Sequence, residues 1–219
     1  MVLNMRLTSK DARTILEEAK KNPINCGWVK HCICVGETAR RIAKALNSDD
    51  MSIDEDKILA MGYIHDIGKV GGLYNNHVLD GYYYIKSLGY DDEFANVCMT
   101  HSYLNNDVDC TAGGYQEDIP FRTNFIKNHN YTIYDKIINI CDLMCTQEVM
   151  SIEERLIDLF ERKGFHPNSA YHVEEVYKLK NYFDGLLGYD LYDVFPEIKK
   201  TGKNISDNYN KVLKYARHN

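Results

Sequence analysis

The chain has no apolar run approaching a membrane span, no internal repeat, no low-complexity tract and almost no alternation of apolar and polar residues. These absences exclude an integral membrane protein, a repeat solenoid and a mainly β fold. An excess of basic residues is also missing: 26 Lys and Arg stand against 32 Asp and Glu, for a formal net charge of -6. That balance argues against a groove holding a long nucleic acid. A small phosphorylated substrate stays open, because the local charge of a bound metal outweighs an acidic surface. The glycine pairs Gly71-Gly72 and Gly113-Gly114 lack the pattern of a phosphate-cradling loop.

The opening residues, Met1 to Arg6, are too few and too polar for an export signal. A cytoplasmic protein is therefore expected, and the seven cysteines (Cys26, Cys32, Cys34, Cys98, Cys110, Cys141 and Cys145) read as reduced thiols. Most behave as small hydrophobes in a core. Cys32 and Cys34, two apart on a predicted helix, point to different faces and do not favour a shared metal.

What is present is helical periodicity from end to end. At 219 residues, the length and 44% hydrophobic content fit one buried core. Thr8 with Asp11 caps a first helix along Ala12, Ile15, Leu16 and Ala19, ending before Pro23. A second runs from about Trp28 to Leu46, with Cys32, Val35, Ala39, Ile42, Ala43 and Leu46 on its apolar face. Ser52 with Glu55 opens a third through Ile58, Met61, Ile64 and His65, with Gly68 as its stop. One more helix starts near Asn76 and ends at Gly89, and another follows a cap at Asp91 or Asp92. Residues from about 102 to 132 break the pattern and are expected as a long irregular loop or lid. Further helices are expected from Tyr134 to Met150, from the Ser151–Glu154 cap to about Lys163, from Asn168 to Leu187, and over Ile205 to Tyr215. The chain reads as a single all-α domain, with its last helices either a dimer surface or a cover for the core.

His31, His65, His77 and His101 lie near predicted helix ends or on apolar faces, with Asp66 and Asp142. A buried carboxylate is costly unless it is paired or metal-bound. Helical bundles build metal centres from side chains on facing helices, so these six residues point to one metal site. Nitrogen and carboxylate ligands suit iron, manganese, zinc or cobalt. His129, His166, His172 and His218 read as ordinary core or surface histidines. Trp28, a turn before His31, is a core anchor or a surface for a base to stack on.

His31, then His65-Asp66, then Asp142 resembles the H…HD…D signature of the HD-domain metal-dependent phosphohydrolase superfamily. Ile64-His-Asp-Ile-Gly-Lys69 resembles its HDIG subgroup; His77 to Gly81 and Thr100-His101-Ser102 resemble the two further histidine positions of dinuclear members. Serine at 102, where many relatives have a second histidine, makes a third metal unexpected. The resemblance covers about residues 25–150, leaving 151–219 as a C-terminal helical extension.

The resemblance implies an HD-domain helical bundle holding two divalent ions, iron or manganese first and zinc, cobalt, nickel or magnesium after them. His31, His65, Asp66 and Asp142 would hold one ion, and Asp66 would bridge to a second held by His77 and His101. It implies hydrolysis of a phosphomonoester or phosphodiester, of a nucleotide above all, by a metal-bridging hydroxide. Lys69 is the expected phosphate contact, and Arg122 and Lys127 are weaker substrate-binding candidates. The alternatives are a di-iron oxygenase using the same ligands, or a metal-binding regulatory module.

Overall fold

The computed structural model describes residues 5–21, 27–71, 76–111, 118–198, 212–214 and 217. Among these residues nine α-helices follow in order: α1 Ser9–Lys20, α2 Gly27–Leu46, α3 Glu55–Ile64, α4 His77–Ser87, α5 Asp92–Thr100, α6 Ile119–Asn128, α7 Ile133–Asp142, α8 Ile152–Lys163 and α9 Ser169–Leu187. Short 3-10 turns cover Ile67–Gly71, Leu104–Asn106 and Leu191–Val194. The described residues contain two isolated β-bridges, and no described helix is long and apolar enough to cross a membrane. The architecture is all-α, as the periodicity leads one to expect.

Side-chain caps explain four of the nine helix starts. Thr8 Oγ1 accepts the Asp11 N–H at 3.2 Å. Ser151 and Glu154 form a reciprocal capping box at α8, and Thr132 and Asp135 form one at α7. At α3 the cap is Asp54, not the Ser52–Glu55 pair. Its carboxylate accepts the N–H groups of Asp56 and Lys57 at 3.0 and 3.1 Å, and Ser52 lies two residues too early.

Two glycine contacts set the architecture around the site. A Cβ on Gly62 of α3 would lie 2.3 Å from Gly36 Cα of α2, so the two helix backbones touch there. This crossing brings the start of α2 against the end of α3. Gly68 has no left-handed backbone; the chain continues into a 3-10 turn instead of stopping. A Cβ there would lie 2.0 Å from the His77 carbonyl oxygen and 2.5 Å from Gly81 N. The first turn of α4 rests on that bare backbone.

The 102–132 stretch departs from the expected irregular loop. It holds α6, with Pro120 in the first turn, where a missing N–H leaves no hydrogen bond unmade. Ile126 packs with Val78, Leu79, Met99 and Tyr103 in a small second core, flanked by Tyr82, Phe121 and Phe125. The α7 helix ends at Asp142, eight residues short of the expected Met150, and the chain turns back with Met150 N–H on the Met144 carbonyl at 2.8 Å. Val173, Val176, Leu179 and Phe183 of α9 belong to the same core as α2 and α3, so α9 covers the core. The last expected helix, Ile205 to Tyr215, lies outside the described residues except for 212–214, which are helical, with Val212 and Leu213 buried. Cys26 is also outside them; Cys34 is half-buried and the other five cysteines are buried, all six as free thiols.

Candidate metal centre

Residues from five helices, most of them at helix ends, converge on one point. His31 comes from the first turns of α2, His65 and Asp66 from the end of α3, His77 from the start of α4, and His101 from the end of α5; Asp142 ends α7. Three of the imidazoles are fixed by their Nδ1 atoms. His31 donates to the Thr146 carbonyl at 3.2 Å, His65 to that of Gly62 at 2.7 Å, and His101 to that of Val97 at 3.2 Å. A carbonyl only accepts, so Nδ1 carries the proton and a neutral ring presents its Nε2 lone pair inward.

Those Nε2 atoms crowd together. His31 and His65 stand 3.3 Å apart, and His77 and His101 stand 3.2 Å apart. Asp142 Oδ1 lies 2.9 Å from His31 Nε2 and 3.9 Å from His65 Nε2. Asp66 lies between the two pairs. Its Oδ2 is 3.6 Å from both His31 and His65, while its Oδ1 is 3.3 Å from His77 and 3.4 Å from His101. One ligand atom each from His31, His65 and Asp142 falls within 4.8 Å of the others, and Asp66, His77 and His101 form a second such group.

Electrostatics match a cation site. Burial drives the His65 imidazole down to about 4, so it is neutral and its lone pair is available. Burial would push the Asp66 carboxyl up, but Lys69 and His65 outweigh it and hold it well below the usual carboxylate range. Lys69 Nζ rests directly on Asp66 Oδ2. Asp66 Oδ1, on the far side, is buried with no hydrogen-bond donor. Acceptor atoms facing one another at these distances call for positive charge between them, and two nitrogen–oxygen ligand groups joined by one carboxylate fit a pair of divalent ions. Cys32 also approaches His65 and Asp66. Burial first, then Asp66, pushes its thiol well up, which keeps it protonated and poor as a ligand.

His31, Asp66, His77, His101 and Asp142 form the floor of a cavity of about 590 Å³, with Trp28, Lys69 and Arg122 in its wall, and His65 lies buried beneath it. Arg122, a weaker substrate-binding candidate, is 1% exposed and donates to the Tyr103 hydroxyl at 3.2 Å. Lys127 projects from the exposed face of α6, outside the cavity wall, so no substrate contact is assigned to it. Ser102 Oγ lies 3.1 Å from His101 Nε2.

The sequence reading missed the wall contributed by the C-terminal helices: Arg155, Asp158, Arg162 and Lys163 of α8, and His172 of α9. The three- and four-residue spacing of Arg155, Asp158 and Arg162 marks one stripe of α8, but spacing cannot say whether a charged stripe faces water or a cavity. His172, read as an ordinary core histidine, is buried against the cavity. His129 stacks on Phe125 at a centroid separation of 5.6 Å and takes no part in the site.

A family model described as "HD domain" matches residues 28–162, more than half of the chain. An uncharacterized protein of Methanocaldococcus jannaschii, MJ0778, is 28% identical over 81 residues, which is 37% of this chain and 48% of that protein. The chain thus aligns with about half the length of that curated relative. No solved structure matches the chain.

Proposed function

The chain belongs to the HD domain family, and from that premise we propose that it is a metal-dependent phosphohydrolase of the HDIG type, acting on a phosphomonoester or phosphodiester of a nucleotide. The observation that carries this reading is Asp66: one oxygen faces His31 and His65, and the other, buried and lacking a donor, faces His77 and His101. His31, His65, Asp66 and Asp142 would hold one ion, and Asp66, His77 and His101 a second, with iron or manganese the leading candidates. Divalent ions so held acidify coordinated water and neutralise charge on phosphoryl oxygens.

The chain's own residues supply the rest. The Nδ1 bonds of His31, His65 and His101 lock the tautomers that turn Nε2 to the centre. Lys69, at the edge of the floor, is the phosphate contact, and its ammonium favours an anion beside Asp66. Trp28, one turn before His31, offers a nucleobase an apolar surface within the same cavity.

The test is phosphate release from a panel of nucleotides by anaerobically purified protein loaded with manganese or iron. Oxygen-independent release, abolished by chelator and by Asp66→Asn, is the expected result. Oxygen consumption without phosphate release would replace the hydrolase with an oxygenase. Inertness of the metal-loaded protein to both would leave a binding module.

A further inference from the structure

We propose that the wall built from the end of α8 and the start of α9 is a second anion subsite, so that the substrate carries a further phosphate beside the one that is cleaved, as in a nucleoside diphosphate. This rests on the phosphohydrolase reading for which phosphate is cleaved, but the subsite itself stands on separate residues.

The cations of the cavity are mostly spoken for. Arg162 donates to both oxygens of Asp158, at 2.9 and 2.7 Å, Arg155 shares the same carboxylate, and Lys69 rests on Asp66. Lys163 lines the cavity at its exposed edge and makes neither a hydrogen bond nor an ion pair among the described residues. His172 is 4% exposed and lines the same cavity, and its ring has no hydrogen-bond partner among the described residues. A buried imidazole has one donor and one acceptor to satisfy, and an unmet polar ring turned to a cavity points to a ligand that supplies the partner. Lys163, His172 and Asp142 line one cavity, and the charges of Lys163 and Asp142 act on that ring in opposite directions.

The wall is also tied to the floor by a bond. Arg155 Nε donates to the backbone carbonyl of Asp142 at 3.3 Å, linking α8 to the last expected metal ligand. An ammonium with no carboxylate partner that lines one cavity with a buried imidazole suits a phosphate group. In a chain of net charge -6, that surplus of positive charge inside a cavity is not a product of composition. Lys163 and His172 both lie beyond residue 162, where the family match stops.

The probes are methylenediphosphonate and methylphosphonate, which resist hydrolysis, titrated calorimetrically into the metal-loaded protein, its Lys163→Ala and Lys163→Arg forms, and His172→Gln. Wild type is expected to prefer the diphosphonate, and Lys163→Ala to lose about tenfold of that preference, the scale of one charge-assisted hydrogen bond. Lys163→Arg should retain it, His172→Gln should reduce it, and methylphosphonate affinity should stay unchanged throughout. Lys163 is exposed, so its substitution leaves the fold intact. A preference that survives both Lys163→Ala and His172→Gln would belong to the metal floor alone and would overturn the subsite. Absence of any preference in wild type would overturn it too. Failure of every phosphoester to be cleaved, with the Lys163-dependent preference kept, would sink the hydrolase reading and leave the subsite standing.

Discussion

The side-chain amide of Asn139 donates to the backbone carbonyls of both Thr100 and His101, at 3.0 and 2.8 Å. Both carbonyls lie at the C-terminal end of α5, and Asn139 lies three residues before Asp142 on α7. One buried amide therefore couples the helix end that carries His101 to the helix that carries Asp142. Replacing Asn139 with Leu should cost about 1–3 kcal/mol by stranding the buried His101 carbonyl, while the Thr100 carbonyl keeps the Tyr131 hydroxyl and the Tyr103 N–H. It should also weaken metal binding at the His77–His101 side more than at the His31 side. Thermal unfolding with and without manganese, together with metal titration, checks both.

The α2–α3 contact should tolerate no side chain. Gly62→Ala would place a methyl group 2.3 Å from Gly36 Cα, which forces the helices apart and separates His31 from His65. A loss of about 1–3 kcal/mol is expected from such overpacking. Gly185→Ala on α9 meets nothing within 4 Å and is the matched control, with a gain of up to about 1 kcal/mol from helix propensity. Denaturant melts of the two variants should move in opposite directions.

Acid should unfold the metal-free protein through its buried imidazoles. Burial pushes both His65 and His172 down to about 4. An unfolded histidine titrates near 6.5, so between the two values the unfolded chain binds protons that the folded chain does not. Stability is then fully present above about pH 6.5 and lost as pH falls towards 4, by about 3 kcal/mol for each group. Asp66, held well below its usual range, acts in the same direction at lower pH. His172→Gln should flatten the pH 4–6.5 slope of unfolding stability measurably; an unchanged slope would remove His172 from the account.

The two cations of α6 should behave differently. Arg122→Met removes a buried guanidinium from the Tyr103 hydroxyl and from the cavity wall, with an expected loss of about 1–3 kcal/mol and weaker substrate binding. Lys127→Ala, on the exposed face, should fall within about 0.5 kcal/mol of wild type with activity unchanged. Melting temperatures and KM for the two variants decide this.

Much of this arrangement could be read from residue order because each helix carries its own signal. Apolar spacing marks α2, the Ser151–Glu154 pair marks α8, and the acid–imidazole set at 31, 65, 66, 77, 101 and 142 falls on helix ends. The rest depended on contacts between distant segments. Asp54 outcompetes Ser52 as a cap because its carboxylate reaches two N–H groups, which spacing alone does not rank. Pro120 reads as a breaker until its place in the first turn of α6 is known. Gly36 and Gly62 carry no pattern, and Gly68 reads as a helix stop; the role of all three is the backbone that touches them. Arg122, Lys163 and His172 look like any surface cation or core histidine until the cavity gives them a common space.

The most direct test of the account is the number of metal ions per chain, measured by elemental analysis on anaerobically purified protein and its His101→Ala form. The centre described above predicts about two ions in wild type and about one in the variant, since Asp66 keeps its contacts with His31 and His65 when the His77 side is broken. Equal metal content in the two proteins would contradict the bridging role of Asp66, and absence of metal from both after reconstitution would contradict the metal centre itself.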